Sequence, residues 1–276
     1  MAAVAGRRAE TARRTGAVGG IGAISSTSER NVDLLVKHNI QSSLMLLDWC
    51  TQNRKPLIYA SSAATYGDGS QGFKDEDTPE ALARLKPVNA YGWSKHFVDR
   101  RIARLRARKE PLPPQILGLK FFNVFGPNEY HKGAMQSAIA KNYPNVAKGG
   151  AIRLFRSTHP FYPDGGQCRD FVWVGDTVDV MLRLQARPAI SGLLNIGSGQ
   201  ARSWLDLAKA VFVAANKDPA IEFIDMPAEI SAGYQNFTQA DIGKLRGLGY
   251  DKPMTSLEDG IRDYVSNYLA KDDPYL

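Results

Sequence analysis

Across residues 28–50 the apolar positions Leu34, Leu35, Leu44, Met45, Leu47 and Trp49 recur at helical spacing and predict an amphipathic helix. Residues 56–60 (PLIYA) form a short unbroken apolar run, the signature of a strand buried on both faces in a parallel sheet. Residues 68–88 are polar and predict a loop. Residues 91–108 predict a helix whose apolar face carries Phe97, Val98, Ile102 and Leu105. Further strands are predicted at 115–122 (QILGLKFF), 170–174 (DFVWV), 193–196 (LLNI) and 221–224. Helices are predicted at 176–186, at 203–215 with Ser203 as N-cap, and at 256–269. Strands alternating with helices predict an α/β fold built on a mainly parallel, Rossmann-like sheet. There is no internal repeat.

Residues 1–20 (MAAVAGRRAETARRTGAVGG) break this order. They hold no aromatic residue and no strand-like run, and their Ala/Arg/Gly content is that of a transit peptide or a disordered, mis-started leader. Gly16, Gly19 and Gly22 have the spacing of a dinucleotide-binding loop, but such a loop follows an apolar strand, and residues 9–15 are charged. The glycines are therefore read as a chance match.

Composition changes this picture little. With 43% hydrophobic and 23% charged residues, the 276-residue chain is globular rather than fibrous or disordered. No apolar run approaches the roughly 18 residues of a membrane helix. Two cysteines, Cys50 and Cys168, do not make a disulfide framework and suit a reducing cytoplasm. The net charge of +7 is concentrated in the leader and in a cluster from Arg100 to Lys109. That cluster reads as a solvated helix face, since no nucleic-acid-binding motif accompanies it. The four histidines lack metal-ligand spacing.

Two segments carry candidate chemistry. In Tyr91-Gly-Trp-Ser-Lys95 the phenol and ammonium are four residues apart and share a helix face. A cation there is expected to favour the phenolate and draw the Tyr91 pKa down, making Tyr91 a general base for a substrate hydroxyl. Ser61 and Ser62 close the strand that begins at residue 56, at the strand end where ligands bind in open α/β sheets. Arg169, before the strand at 170–174, suits a diphosphate by bidentate hydrogen bonding, and an ion pair with Asp170 or Asp164 is the competing reading.

The strand, Ser-Ser, Y-x-x-x-K and FFNVFGP together resemble the extended short-chain dehydrogenase/reductase superfamily of nucleotide-sugar epimerases and dehydratases, from about Gly22 to the C-terminus. The segments YASSAATYG, FNVFGPNEYHKG, RDFVWVGD and GYQNFTQAD further resemble its ADP-heptose 6-epimerase branch, the HKG and YQ-FTQAD elements most specifically. The resemblance implies epimerisation of an ADP-sugar at the heptose C6, in lipopolysaccharide core synthesis, with NADP (or NAD) as cofactor. It implies Tyr91 and Lys132 as acid/base residues on opposite faces of the substrate carbon, Lys95 on the nicotinamide ribose, and Ser62 at the substrate hydroxyl. Lys132 as an ordinary surface lysine is the alternative. Gly22, Ala23, Ile24, Ser25, Asn39, Lys95 and Val124 would line the cofactor. Ser62, Asn123, Ala134, Lys141, Phe155, Arg169 and Tyr234 would line the substrate. Ala134 and Lys141 depart from the family's hydroxyl residue and histidine. A homo-oligomer is implied, with neither nucleic acid nor membrane as partner.

The expected organisation is an unmatched leader at 1–20, a partial Rossmann-like cofactor domain at 21–130, and a smaller α/β substrate domain at 131–276 from which residues 168–186 return to the main sheet. Family members start with a strand, a glycine-rich loop and a helix, and the chain is expected to be truncated relative to them. The rival readings are another epimerase or dehydratase of the superfamily, or a non-catalytic sugar-nucleotide-binding remnant.

Overall fold

The computed structural model describes residues 24–227 and 234–275, together with the backbone of 17–19. A four-stranded parallel sheet has the order β1-β2-β3-β7, formed by Ala17–Gly19, Leu57–Ser62, Ile116–Phe121 and Gly192–Ile196. Side chains alternate across it. Leu57, Tyr59, Ile116 and Leu193 pack on one face, and Ile58, Leu117, Leu119, Leu194 and Ile196 on the other. Burial of both faces is why these strands read as continuous apolar runs.

The first face is covered by a long helical segment, α1 (Val32–Leu35), a π-helical stretch (Val36–Gln41) and α2 (Ser42–Gln52), and by α4 (Ala90–Ala107). The predicted loop at 68–88 contains a helix, α3 (Pro79–Arg84), started by the Thr78 hydroxyl accepting from the Ala81 amide and by proline at N1. Its six residues are too few to show periodicity. The arginine cluster on α4 lies at its surface, where Arg106 pairs with Asp77 at 2.7 Å. Phe97 is exposed rather than on the packed face.

A second assembly holds β4 (Asn123–Phe125), β6 (Cys168–Trp173) and β8 (Ala201–Ser203), with a separate parallel pair of β5 (Ile152–Phe155) and β9 (Ile221–Ile224). Three helices, α5 (Ala138–Ala147), α7 (Trp204–Ala214) and α9 (Leu257–Tyr264), enclose its core around Phe171, Val211 and Ile261. The predicted Ser203 cap is a full capping box with Asp206. Helix α6 (Val174–Gln185) packs on the main sheet through Val180 and Leu184, and α8 (Gly243–Gly247) does so through Leu245.

Several expectations are corrected. Residues 1–20 do contain strand, since Ala17–Gly19 pairs in register with Leu57–Tyr59. Three residues held by ladder bonds carry no pattern for a sequence to display. Gly19 lies within that strand, and Gly16 and Gly22 lie outside the described residues. Within 168–186, helix α6 lies on the main sheet, while β6 joins β4 and β8 and the next strand of the main sheet is β7. Strands β4, β5 and β8, of three or four residues, are additional to those predicted.

One buried ion pair joins sheet to helix. Lys120 of β3 and Asp99 of α4 are 2.8 Å apart with both side chains fully buried. Asp99 also accepts from the Tyr59 hydroxyl at 3.0 Å and the Ser61 hydroxyl at 2.7 Å. Tyr59 reaches it by crossing Gly118, where any Cβ would strike its ring. Replacing Lys120 with Met strands the Asp99 charge and is expected to cost about 3–5 kcal/mol. Urea unfolding checks this, and a loss under about 1 kcal/mol would refute it.

Candidate functional site

The C-terminal ends of the parallel strands β2 and β3 bring the predicted residues of the first half together. Ser62 leaves β2 extended, and its hydroxyl accepts from the Ala64 amide, capping a 3-10 turn over Ala63–Tyr66. Gly67 then turns the chain at φ +69°, where a Cβ would collide with the Lys86 carbonyl. From the facing helix, Tyr91 is hydrogen-bonded to Ser62. Asn89 caps that helix by accepting from the Gly92 amide, which sets Tyr91 in its first turn and Lys95 one turn on.

The two serines separate cleanly. Ser61 faces the Asp99–Lys120 pair in the interior, and Ser62 faces Tyr91. Adjacent strand residues point to opposite faces, so only one could serve the site.

Lys95 is buried, and its ammonium makes no hydrogen bond or ion pair among the described residues. Burial lowers its pKa to about 8, against the opposing charge of Asp99. Tyr91 departs from expectation. Its pKa is raised by burial, which the Ser62 hydrogen bond only partly offsets. The expected lowering by Lys95 fails because the phenol is desolvated and the lysine's own charge is disfavoured by the same burial.

Asn39 was expected at the cofactor. Its amide is instead engaged internally, accepting from the Ile24 amide at 2.8 Å and donating to the Ile24 carbonyl at 3.0 Å and the Ser94 hydroxyl at 2.9 Å. It therefore ties residue 24 to the helix of Tyr91. Ser25, next to it, is exposed beside the half-buried Ile24; Gly22 and Ala23 lie outside the described residues.

A second group assembles around Arg169. Its guanidinium lies 4.8 Å from the Tyr234 ring and 5.8 Å from that of Trp204, and Phe155 meets Tyr234 edge-on at 6.5 Å. Strand β6, strand β5 and the segment at 234–241 thus converge. Neither ion pair considered for Arg169 forms. Asp164 pairs with Arg156 at 3.2 Å, and Asp170 accepts from the Ser198, Gly199 and Ala240 amides and the Ser198 hydroxyl. Arg169 donates to the Cys168 carbonyl at 2.8 Å and to the Tyr234 hydroxyl, and has no carboxylate partner among the described residues. Burial lowers its pKa. A buried guanidinium among aromatic rings, with donors to spare, is a site for an anion carrying a planar group.

Lys132 and Ala134 lie on the segment after β4, and Lys141 on α5. Lys132 is exposed on a 3-10 segment (Tyr130–Met135) and lines a cavity of about 490 Å³ with Val124, Gly126 and Trp173. Lys141 donates to the Ala134 carbonyl at 3.4 Å. Asn123 is exposed at the start of β4. No hydrogen bond or ion pair joins Lys132 to Tyr91 among the described residues. Among the described residues, no cluster of His, Cys, Asp or Glu could hold a metal, and no helix is long and apolar enough to cross a membrane.

Asp99, Lys120 and Asp170 escaped sequence reasoning. Asp99 was detectable as the third member of a Tyr91, Lys95, Asp99 stripe at four-residue spacing. Lys120 and Asp170 carried no such signal, since each is buried against partners distant in sequence.

The profile of the NAD dependent epimerase/dehydratase family matches residues 15–197. The ADP-L-glycero-D-manno-heptose-6-epimerase of Nitratidesulfovibrio vulgaris strain Hildenborough is 50% identical over 256 residues, 93% of this chain and 77% of that protein. The enzyme of the same name from Fusobacterium nucleatum is 44% identical over 97% of this chain and 81% of its own. Among solved structures, the Helicobacter pylori ADP-L-glycero-D-manno-heptose-6-epimerase superposes with a TM-score of 0.69 at 28% identity, covering 89% of this chain and 70% of that one. The Thermus thermophilus UDP-glucose 4-epimerase, solved with NAD, superposes with a TM-score of 0.70 at 24% identity, covering 93% and 78%, and shares the fold.

The buried ammonium yields a pH prediction. Folded Lys95 loses its proton near pH 8, whereas the unfolded chain holds it to about 10.5. The unfolded state thus binds more protons across that window, and stability referred to this group rises with pH. Relative to a Lys95→Met variant, the parent should gain up to roughly 3 kcal/mol between these limits, read by urea unfolding at several pH values. A flat difference would refute the assignment.

Proposed function

The chain belongs to the NAD dependent epimerase/dehydratase family, and from that premise we propose that it is an isomerase converting ADP-D-glycero-D-manno-heptose to ADP-L-glycero-D-manno-heptose. The observation that carries the reading is the buried Arg169 between Tyr234 and Trp204, without a carboxylate partner among the described residues, a cradle for the diphosphate of an ADP-sugar. Identity of 44–50% with enzymes of that name supports the choice of sugar over other members of the family.

Members of the family use a nicotinamide cofactor, and we take NADP as the form used here. The residues fit such a group. Lys95 offers an ammonium without an acceptor of its own, suited to ribose hydroxyls, and Asn39 fixes the peptide of Ile24 beside the same helix. When bound, a nicotinamide supplies hydride uptake and return at the heptose C6.

The chain's own residues do the rest. Ser62 orients the Tyr91 hydroxyl. Tyr91, kept protonated by burial, exchanges its proton with the substrate oxygen as charge develops there. Lys132, with its pocket partner Val124, serves the opposite face, because inversion of a carbinol centre requires proton transfer on both. Phe155, Tyr234 and Asn123 hold the nucleotide and sugar, with Ala134 and Lys141 at the margin. Met45 and Trp49 of α2 and Trp93 and Phe97 of α4 expose 46–71% of their surface on neighbouring helices, which supports a homo-oligomer, and the chain's two cysteines suit a reducing cytoplasm.

Incubation with NADP⁺ and the D-glycero substrate should yield the L-glycero epimer. Tyr91→Phe and Lys132→Met should each lower kcat by roughly 100-fold or more while substrate affinity persists. Retained turnover in either would remove its acid/base role. Arg169→Met should weaken ADP binding roughly 10- to 100-fold, by calorimetry, and leave the ligand-free chain as stable as the parent or more so. Unchanged ADP affinity in a destabilised variant would instead make Arg169 a framework residue.

A further inference from the structure

Helix α4 carries a third buried polar side chain on the stripe that holds Tyr91 and Lys95. Asp99 lies one turn beyond Lys95, and both are nine-tenths or more buried. Both oxygens of Asp99 are occupied, one by the Tyr59 hydroxyl and the other by Ser61 and the Lys120 ammonium. Asp99 therefore acts on Lys95 through its field rather than through a hydrogen bond. Lys120 in turn donates to the Thr65 hydroxyl at 2.6 Å, lies 4.9 Å from the Tyr66 ring centre, and is fully buried. Thr65 donates to the Ser62 carbonyl at 2.7 Å, so the pair is linked by bonds to the serine that faces Tyr91.

We propose that Asp99 and Lys120 are positioning residues for Lys95: the Asp99 carboxylate holds the Lys95 ammonium charged and aimed at its site, and Lys120 sets how much of that carboxylate's charge Lys95 feels. The inference rests on reading Lys95 as a cofactor-contacting residue. The groups facing the Asp99 carboxylate are Tyr59 of β2, Lys120 of β3, Tyr66 of the 3-10 turn, and Lys95 and His96 of its own helix. Burial raises both tyrosines well above their ordinary values and lowers His96 to about 4, so none of these three changes charge near neutrality. Asp99 is thus the charge that works against the burial of Lys95, and Lys120 is the cation paired with that carboxylate, while Arg106 and Asp77, which line the same cavity, pair with each other. A purely structural pair would brace α4 against β3 and would leave the sign of Lys95's titration indifferent to which partner was removed.

The two charges have opposite signs, which gives the test. In the ligand-free chain labelled with ¹³C at lysine Cε, the Lys95 resonance, identified by its loss in Lys95→Arg, is titrated over roughly pH 6 to 11. Asp99→Asn should lower its midpoint by about one pH unit, and Lys120→Gln should raise it by a similar amount. The double variant, with neither buried charge, should fall short of Asp99→Asn. If Lys120→Gln does not fold, the double variant compared with Asp99→Asn still isolates the Lys120 contribution with the same expected sign. Shifts in one direction for both single variants, or none above about 0.2 unit, would overturn the proposal. The pH profile of kcat/KM should then move its alkaline limb in the same two directions. Opposite shifts of the resonance in a chain that turns over no ADP-heptose would uphold the pair and count against the epimerase reading.

Discussion

The buried Asp99–Lys120 pair is the constraint on which the first half of the molecule is built. A parallel sheet and a helix that covers it can slide past each other if only apolar surface joins them, because hydrophobic attraction has no direction. Two buried charges, bonded to each other and to three hydroxyls, do have direction. Tyr59 and Ser61 approach from β2, Lys120 from β3, and Thr65 from the turn beyond, so strand ends and helix must meet in one register. That register sets Ser62 against Tyr91. The pair need not add net stability to have this effect, since desolvation offsets much of its attraction.

Asp170 has the same part in the second half, by a different device. Its carboxylate accepts three backbone amides and a hydroxyl from two segments that are remote in sequence, the turn at 198–199 and the strand-like stretch ending at Ala240. Burial raises its pKa, and those four donors pull the other way. Because Thr238 and Asn236 also bond the backbone of β6, the 234–241 segment is fixed along the strand that carries Arg169, and Tyr234 is brought onto the guanidinium. One carboxylate thus closes a site whose ligand contacts lie on its neighbour.

Most of the regular structure was legible because burial on both faces of the sheet makes strands apolar, and Ser203 and the Y-x-x-x-K stripe announce their helices directly. What escaped was short or non-local. Strands of three or four residues, β1, β4, β5 and β8, owe their existence to ladder partners far along the chain, as Ile152 does to Ile221. The place of Tyr91 was legible, but its electrostatics were not: spacing shows that Lys95 can lie near Tyr91, and only burial shows that desolvation outweighs that charge. The bonds of Asn39 escaped for a related reason: its spacing carries no sign that the amide holds both polar atoms of Ile24.

Arg169 shows how such a site is tolerated. A guanidinium buried without a carboxylate carries a desolvation cost that the fold does not repay internally, and the two carboxylates nearest in sequence are both committed elsewhere. Aromatic rings from Tyr234 and Trp204 offset part of it through their negative faces, worth about 1 kcal/mol each. The Tyr234 hydroxyl takes one of the guanidinium's donors and the Cys168 carbonyl another, and no carboxylate among the described residues takes the rest. The arrangement leaves the cation partly stabilised yet open to an anion. Had Asp164 turned to Arg169 rather than Arg156, the fold would have been no less satisfied, but the anion would have had to displace a partner to enter.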